Sequence, residues 1–205
     1  MKPKFWNKGK IYLSKKDKVL KSIIDSYPND YLSININYFH CLLNAIIGQQ
    51  ISVSAASAIK KRFFLLNKNI NPTNILKVHN QSFKKVGLSK QKISYIRNIA
   101  FFFIENKKFT KNINKYSEIK IKEKLISIKG VGQWTVNMFL IFGLGRSNVL
   151  PIKDLGLLKA ISLTYKINLP IEDKDLEKLF KRWTPYNTVA TWYLWRSLDP
   201  IPVIY

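Results

Sequence analysis

Residues 125–135 read Leu-Ile-Ser-Ile-Lys-Gly-Val-Gly-Gln-Trp-Thr, and this stretch decides how the rest of the chain is interpreted. Apolar residues lie on both sides of a Gly-Val-Gly turn, which predicts a helix, a tight hairpin and a second helix over residues 125–145. Glycine lacks a Cβ, so the backbone of this hairpin can approach another surface closely. A helix also begins with N–H groups that have no partner within the helix, and such a terminus binds phosphate. The hairpin is therefore a candidate anion-binding site.

A carboxylate follows this hairpin in a strongly basic part of the chain. Residues 151–157 read Pro-Ile-Lys-Asp-Leu-Gly-Leu, which places Asp154 about twenty residues after the hairpin. An anion-binding hairpin together with an acid indicates chemistry on a nucleic acid. Asp154 has a second interpretation, because aspartate is also favoured as the N-cap of a helix that begins at Leu155.

The net charge indicates a polyanionic partner. The 205-residue chain has 35 Lys and Arg residues against 12 Asp and Glu, a formal net charge of +23. Such an excess favours rapid, salt-sensitive association with nucleic acid. A compositional bias is the alternative, since Lys, Asn and Ile are all abundant, but bias does not explain why acidic residues are scarce.

The cysteine and histidine content excludes several kinds of site. Cys41 is the only cysteine of the sequence, so the chain cannot form an internal disulfide, hold an iron–sulfur cluster or build a cysteine-based zinc site. Cys41 lies in an apolar stretch and is expected in the core. His40 and His79 are the only histidines, which argues against a histidine metal site.

The N-terminal sequence and the hydropathy bear on the compartment. Residues 1–10 are basic and precede no apolar run of signal-peptide length. No segment of the sequence is long and apolar enough for a membrane span. We therefore expect a cytoplasmic, nucleoid-associated protein.

Apolar residues recur at helical spacing along almost the whole chain, without an alternating run long enough for a sheet. The first stripe, from Val19 to Tyr27, follows Ser14, which we expect to be the N-cap. The predicted fold is all-α, with two helical lobes and a cleft between them. We expect residues 1–34 to form a basic segment and helix that pack on the core, and residues 35–205 to form the domain that contains the hairpin.

Four segments resemble, in order and spacing, the signatures of the helix–hairpin–helix DNA glycosylases that carry a Gly/Pro-rich loop and an aspartate, the HhH-GPD superfamily. They are residues 42–52 (Leu-Leu-Asn-Ala-Ile-Ile-Gly-Gln-Gln-Ile-Ser), 87–92 (Gly-Leu-Ser-Lys-Gln-Lys), 129–135 and 150–157. The resemblance covers roughly residues 35 to 200 and is greatest for the branch that removes alkylated bases, the DNA-3-methyladenine glycosylase II type. It implies that residues 35–205 are the catalytic domain, without the mixed N-terminal domain of a bacterial relative.

The resemblance implies a mechanism. A damaged nucleotide is flipped out of the duplex, and the bond between base and deoxyribose breaks through an oxocarbenium-like state. Asp154 would stabilise that cation, help to activate water, or do both. Relatives that also cut the strand carry a Schiff-base lysine where this chain has Trp134, and an indole cannot form an imine. The chain is therefore expected to be monofunctional, and its lack of four cysteines argues against the iron–sulfur branch.

The same resemblance implies a substrate pocket made by Trp134, Met138 and Trp195. An alkylated purine such as 3-methyladenine or 7-methylguanine carries positive charge, which electron-rich rings attract. Trp195 has a second interpretation as a core residue, because aromatic residues at helical spacing usually are core residues. Met138 stands where some relatives have a tyrosine, and Asn187 where an arginine is common, so both bear on the substrate range.

DNA contacts are also implied by the resemblance. The residues expected to bind DNA are Gln49, Gln50, Lys129, Gly130, Val131, Gly132, Gln133 and Thr135. Backbone N–H groups of the hairpin would hold a phosphate. Gln50 would fill the gap left by the flipped base, with a solvated turn as its alternative interpretation. Lys90, Lys92 and Arg97 of the central helix are interpreted as a solvated face.

An alkali cation is expected at the hairpin, as in the family. A structural Na⁺ or K⁺ would be held by the backbone carbonyls of Ile126, Ile128 and Val131. Neither a catalytic metal nor a required cofactor is expected.

The sequence thus predicts a monofunctional DNA glycosylase that removes alkylated bases from double-stranded DNA in base excision repair. It is expected to act as a monomer and to leave an abasic site for unspecified downstream enzymes. Three alternatives remain. One is a non-catalytic DNA-binding protein, which has no need of Asp154. Another is a glycosylase for uracil, a mispaired base or an oxidised base. A basic architectural protein fits the charge but not the ordered motifs.

Overall fold

The computed structural model describes residues 1–199, so residues 200–205 of the predicted 35–205 domain lie outside the described part of the chain. Thirteen α-helices and no strand occur in residues 1–199. The prediction of an all-α fold is therefore confirmed for this range. The same residues include no helix with the length and hydrophobicity that a membrane span needs.

The α-helices are mostly short, and many begin at a polar N-cap. In chain order they are α1 (Trp6–Lys16), α2 (Lys18–Ser26), α3 (Tyr38–Gly48), α4 (Val53–Phe64), α5 (Pro72–Lys77), α6 (Asn80–Lys85), α7 (Lys90–Glu105), α8 (Lys107–Lys111), α9 (Glu118–Ile126), α10 (Gln133–Met138), α11 (Leu155–Tyr165), α12 (Asp173–Trp183) and α13 (Asn187–Leu198). A 3-10 helix, Ile113–Lys115, follows α8, and a π-helical segment, Phe139–Gly143, follows α10.

The chain divides into two compact units. Among the described residues, the first consists of Met1–Ile34 together with residues 140–199, and it contains α1, α2 and α11–α13. Its core is aromatic. The ring of Trp6 meets that of Trp192 edge-on, with 5.2 Å between ring centroids, and stacks with Tyr193 at 5.8 Å. These contacts hold α1 against α13.

Asp17, and not Ser14, is the N-cap of α2. Ser14 lies inside α1, whereas the Asp17 carboxylate accepts two backbone N–H groups from the first turn of α2. Asp17 is only 2% exposed, and its carboxylate also accepts hydrogen bonds from Tyr165 (2.8 Å), Trp183 (3.0 Å) and Arg182 (3.3 Å). Burial opposes the ionisation of Asp17, but these contacts outweigh it and lower the pKa. The prediction of Ser14 was wrong because an apolar stripe does not show where the preceding helix ends.

The second unit, Asn35–Phe139, contains α3–α10. α3 is buried along most of its length and packs against α4, α7 and α10. Cys41 lies in this core as predicted, and burial raises the pKa of its thiol to about 12. Residues 127–132 join α9 to α10 and form the hairpin.

Candidate active site

Asp154 ends the loop that precedes α11 and caps this helix. Its Oδ1 accepts the backbone N–H of Leu157 at 2.7 Å. The same oxygen accepts a second hydrogen bond, at 2.9 Å, from Nε1 of Trp195 in α13. Asp154 is therefore an N-cap, but capping alone does not require the indole contact. The half-buried carboxylate is held from two directions, which fixes its orientation.

The indole of Trp195 combines core packing with the contact to Asp154. Trp195 is 9% exposed, and its ring stacks on Phe142 with 6.0 Å between centroids and 11° between planes. A Cβ at Gly156 would lie 3.1 Å from the Asp154 oxygen and 3.6 Å from the indole. The absence of a side chain at Gly156 thus leaves room for the indole and the carboxylate to meet.

Hydrogen bonds to the start of α13 support the loop that leads to Asp154. Thr188 is fully buried, and its hydroxyl donates to the carbonyl of Arg146 at 2.6 Å. The same hydroxyl accepts the backbone N–H of Val149 at 3.0 Å. Asn187 donates from Nδ2 to Oδ1 of Asn148 in this loop at 2.6 Å. The loop is thereby fixed a few residues before the carboxylate.

Two glycines of the hairpin serve different purposes. Gly130 has φ +103°, and a Cβ there would lie 2.1 Å from the ring of Tyr95. Backbone conformation and packing therefore both require glycine at this position. Gly132, the N-cap of α10, has φ −97°, and apart from its own chain neighbours no described atom lies within 4 Å of where its Cβ would be. Packing within the described residues does not explain Gly132, whereas close approach of an external partner to this backbone would.

Gln49, at the end of α3, forms hydrogen bonds to the hairpin and to α10. Its Nε2 donates to the carbonyl of Gly130 at 3.1 Å and to Oγ1 of Thr135 at 2.9 Å. The structure thus brings together three of the residues that the sequence predicted as DNA-binding. In this arrangement the Gln49 side chain fixes the shape of the hairpin.

Gln50 follows directly and is exposed, with a φ of +55° that residues other than glycine rarely adopt. Such a conformation costs about 1–3 kcal/mol and persists where surrounding contacts impose it. Lys92 of α7 supplies contacts of this kind, because its Nζ donates to the carbonyls of Ile47 and Gln49 at 2.8 Å each. Burial lowers the pKa of Lys92. The interpretation of Lys92 as part of a solvated face was therefore wrong.

α7 contacts the hairpin through two other residues. The ring of Tyr95 faces Gly130, and Nδ2 of Asn98 donates to the carbonyl of Lys129 at 3.0 Å. Arg97 is also engaged, since its guanidinium donates to two backbone carbonyls at the end of α5. Residues 87–92 indicate the start of this helix in the sequence, but helical spacing does not reveal the partners of its polar side chains.

Three more of the predicted side chains lie on α10. Trp134 is half-buried in the first turn, and Met138, one turn later, is 1% exposed. Gln133 donates from Nε2 to a side chain one turn further along the same helix at 3.0 Å. Trp134 and Met138 belong to the second compact unit, whereas Asp154 and Trp195 belong to the first.

The hairpin carbonyls expected to hold an alkali cation are those of Ile126, Ile128 and Val131. The Ile128 carbonyl accepts the N–H of Val131 at 2.9 Å, which closes a tight turn. A carbonyl oxygen has two lone pairs, and hard cations prefer such oxygens as ligands. Carbonyl oxygens are donors that suit Na⁺ or K⁺, and the cation at the hairpin stays a prediction.

These features agree with the sequence and fold comparisons. The profile of the HhH-GPD superfamily of base excision DNA repair proteins matches residues 43–186, and the chain belongs to this superfamily. DNA-3-methyladenine glycosylase 1 of Schizosaccharomyces pombe is 31% identical over 198 residues, which cover 93% of this chain and 86% of that protein. The Bacillus subtilis protein YfjP is 30% identical over 189 residues, which cover 88% of this chain and 66% of that protein.

A solved structure shows the same fold. It is that of the Schizosaccharomyces pombe 3-methyladenine DNA glycosylase in complex with abasic DNA, and it matches with a TM-score of 0.82 and 28% identity. The match covers 93% of this chain and 96% of that one. The predicted family and the predicted helical glycosylase fold are thus confirmed.

Proposed function

We propose that the protein is a monofunctional DNA glycosylase that flips alkylated bases, of the 3-methyladenine and 7-methylguanine class, out of duplex DNA and releases them by hydrolysis. The observation that carries this proposal is the Asp154 carboxylate, held by Trp195 and by the N-terminus of α11 in a chain of the HhH-GPD superfamily. A relative with 31% identity is a DNA-3-methyladenine glycosylase, which supports the substrate class.

Asp154 acts on the sugar in this proposal. As the bond between C1′ and the base nitrogen breaks, the electron pair leaves with the base and positive charge develops on C1′ and the ring oxygen. A carboxylate already fixed by two donors stabilises this charge without reorganising. Water then adds to C1′ and loses a proton to the carboxylate. The products are the free base and an abasic site.

Trp134 supports both the substrate class and the monofunctional reaction. An alkylated purine is cationic before the bond breaks and neutral afterwards, so it needs little help as a leaving group. An electron-rich indole attracts the cationic base by stacking and cation–π contact. Because an indole has no amine, it cannot form the Schiff base that strand cleavage requires. The buried Met138 lies one helical turn away and limits the space beside the indole.

The hairpin anchors the damaged duplex DNA. The N–H groups that begin α10 bind a phosphate, and the open side of Gly132 lets the DNA backbone approach. Gln50 enters the gap that the flipped nucleotide leaves. The net charge of +23 adds salt-sensitive attraction to the phosphates. The protein acts as a monomer without a required cofactor, and Na⁺ or K⁺ at the hairpin carbonyls has a structural role.

Base release from methylated duplex DNA tests the proposal. We expect the wild-type chain to release 3-methyladenine and Asp154→Asn to be slower by at least about a hundredfold, since a fixed transition-state contact of this kind is worth that much. Asparagine is also a good N-cap, so α11 should form normally. Asp173→Asn is the matched control, because it removes an exposed acid at the start of α12.

The outcomes separate the alternatives. Unchanged release by Asp154→Asn would remove this residue from the mechanism. No release by the wild-type chain, with binding to abasic DNA intact, would favour a non-catalytic DNA-binding protein or another lesion. Duplexes that contain uracil, a mispaired thymine or 8-oxoguanine would then distinguish those two cases.

A further inference from the structure

We infer that Lys92 is a positioning residue that holds the Gln49–Gln50 segment in the shape needed to extrude a base from duplex DNA. It acts through the backbone of the segment and does not touch the lesion. This inference rests on the proposed function and on Gln50 as the residue that enters the gap.

The contacts of Lys92 reach the end of α3. Its Nζ donates to the carbonyls of Ile47 and Gln49, at 2.8 Å each. The last carbonyls of a helix lack partners within the helix, and a cation at this end is favoured by the helix dipole. An ammonium group that bridges two such carbonyls therefore fixes where α3 stops and which way the chain leaves it.

Gln49 transmits this constraint in two directions. Its carbonyl accepts from Lys92, while its side chain donates to Gly130 and Thr135 of the hairpin. Its carbonyl carbon is bonded to Gln50, whose φ of +55° is unfavourable unless its surroundings impose it. Without the lysine, the end of α3 can rotate, so that Gln50 relaxes to negative φ and its side chain turns away.

This role predicts a dependence on the form of the DNA. Extruding a base costs the most when it is paired and stacked, and the least when the strand is already single. A residue that only supports folding would affect both substrates equally. A residue that positions Gln50 affects base release from duplex DNA alone.

The experiment compares Lys92→Met with Lys90→Met, which removes the same charge from an exposed position on the same helix. Base unstacking is followed by the fluorescence of 2-aminopurine placed next to the lesion, and base release is measured on duplex and single-stranded methylated DNA. Loss of hydrogen bonds from a charged donor should reduce the duplex fluorescence change and duplex release by about tenfold or more. Lys90→Met should match the wild type, and Lys92→Met should match it on single strands.

A double-mutant cycle with Gln50→Ala tests whether Lys92 acts through Gln50. If Lys92 acts through Gln50, adding Lys92→Met to Gln50→Ala has little further effect on duplex release. Additive losses, equal losses on both forms of DNA, or no loss with Lys92→Met would each overturn the inference. If Lys92→Met does not fold, Lys92→Leu, which also lacks a donor, replaces it under the same criteria.

The fluorescence readout keeps the two proposals distinguishable. A wild-type chain that unstacks the probe but releases no base contradicts the proposed function, and the comparison of Lys92 with Lys90 can still be made. A wild-type chain that releases base without unstacking the duplex probe contradicts the role of Lys92.

Discussion

The indole N–H of Trp195 donates to the same oxygen of Asp154 that caps α11, although 41 residues separate the two in sequence. Helix capping alone would leave the carboxylate with one fixed contact. The second contact comes from a ring that is itself fixed by stacking on Phe142. The orientation of the carboxylate thus depends on two helices of the same compact unit.

Replacing the indole donor should slow the reaction more than it weakens binding. Trp195→Phe keeps an aromatic ring for the stack on Phe142 but removes the hydrogen bond to Asp154. We expect base release to fall about tenfold to a hundredfold, as for other lost hydrogen bonds to a charged group. Single-turnover release measures the effect, and affinity for abasic DNA serves as the control. A larger loss of affinity than of rate would contradict this role.

The two hairpin glycines should respond differently to alanine. Gly130→Ala places a methyl group against the Tyr95 ring at positive φ, so we expect it to lower the free energy of unfolding by about 1–3 kcal/mol or more. Gly132→Ala meets no described atom and should leave thermal stability nearly unchanged. It should nevertheless weaken DNA binding, because the methyl group stands where a phosphate approaches. Melting curves and salt-matched binding assays check both, and equal binding by Gly132→Ala and wild type would count against the hairpin as the anchor.

Asp17 should make stability depend on pH at the acid side. Its folded-state pKa is lowered below the ordinary value of 3.8, so the folded state favours the ionised carboxylate. The contribution of Asp17 to the stability of the fold is complete above the pKa of the unfolded state. It is lost as the pH falls through 3.8 towards the lower pKa of the folded state. Asp17→Asn removes the charge that Arg182 faces and should destabilise the fold by about 3 kcal/mol near neutral pH. Chemical denaturation of the wild type and Asp17→Asn between about pH 3 and pH 7 checks this. A difference in the free energy of unfolding that stays constant across this range would contradict the prediction.

Two threonines of α13 offer a matched test of the loop before Asp154. Thr188 and Thr191 are both fully buried, but only Thr188 bridges Arg146 and Val149. Within the described residues the Thr191 hydroxyl has no hydrogen-bond partner. Thr188→Val should therefore lower the free energy of unfolding by about 1–3 kcal/mol, whereas Thr191→Val should leave it unchanged or raise it. Denaturation midpoints measure both changes, and equal effects would argue against a specific role for the bridge.

Local patterns in the sequence predict the segments that form the candidate site, but they do not predict the contacts between these segments. Helical spacing, the glycines around residue 131 and Asp154 before α11 are features of short segments, where propensity and capping dominate. The contact of Gln49 with Gly130 spans 81 residues, and that of Lys92 with Ile47 spans 45. Which partner a polar side chain finds over such a distance depends on tertiary packing, which spacing does not encode. For the same reason, the helical position of Lys92 indicates a solvated face, whereas its Nζ contacts backbone carbonyls in the folded chain.

The three contacts that α7 makes through Lys92, Tyr95 and Asn98 recur every three residues on one helical face. For protein engineering, this means that the hairpin and the Gln49–Gln50 segment cannot be transferred to another protein independently of α7. A graft that moves either loop onto another scaffold must bring this helical face with it.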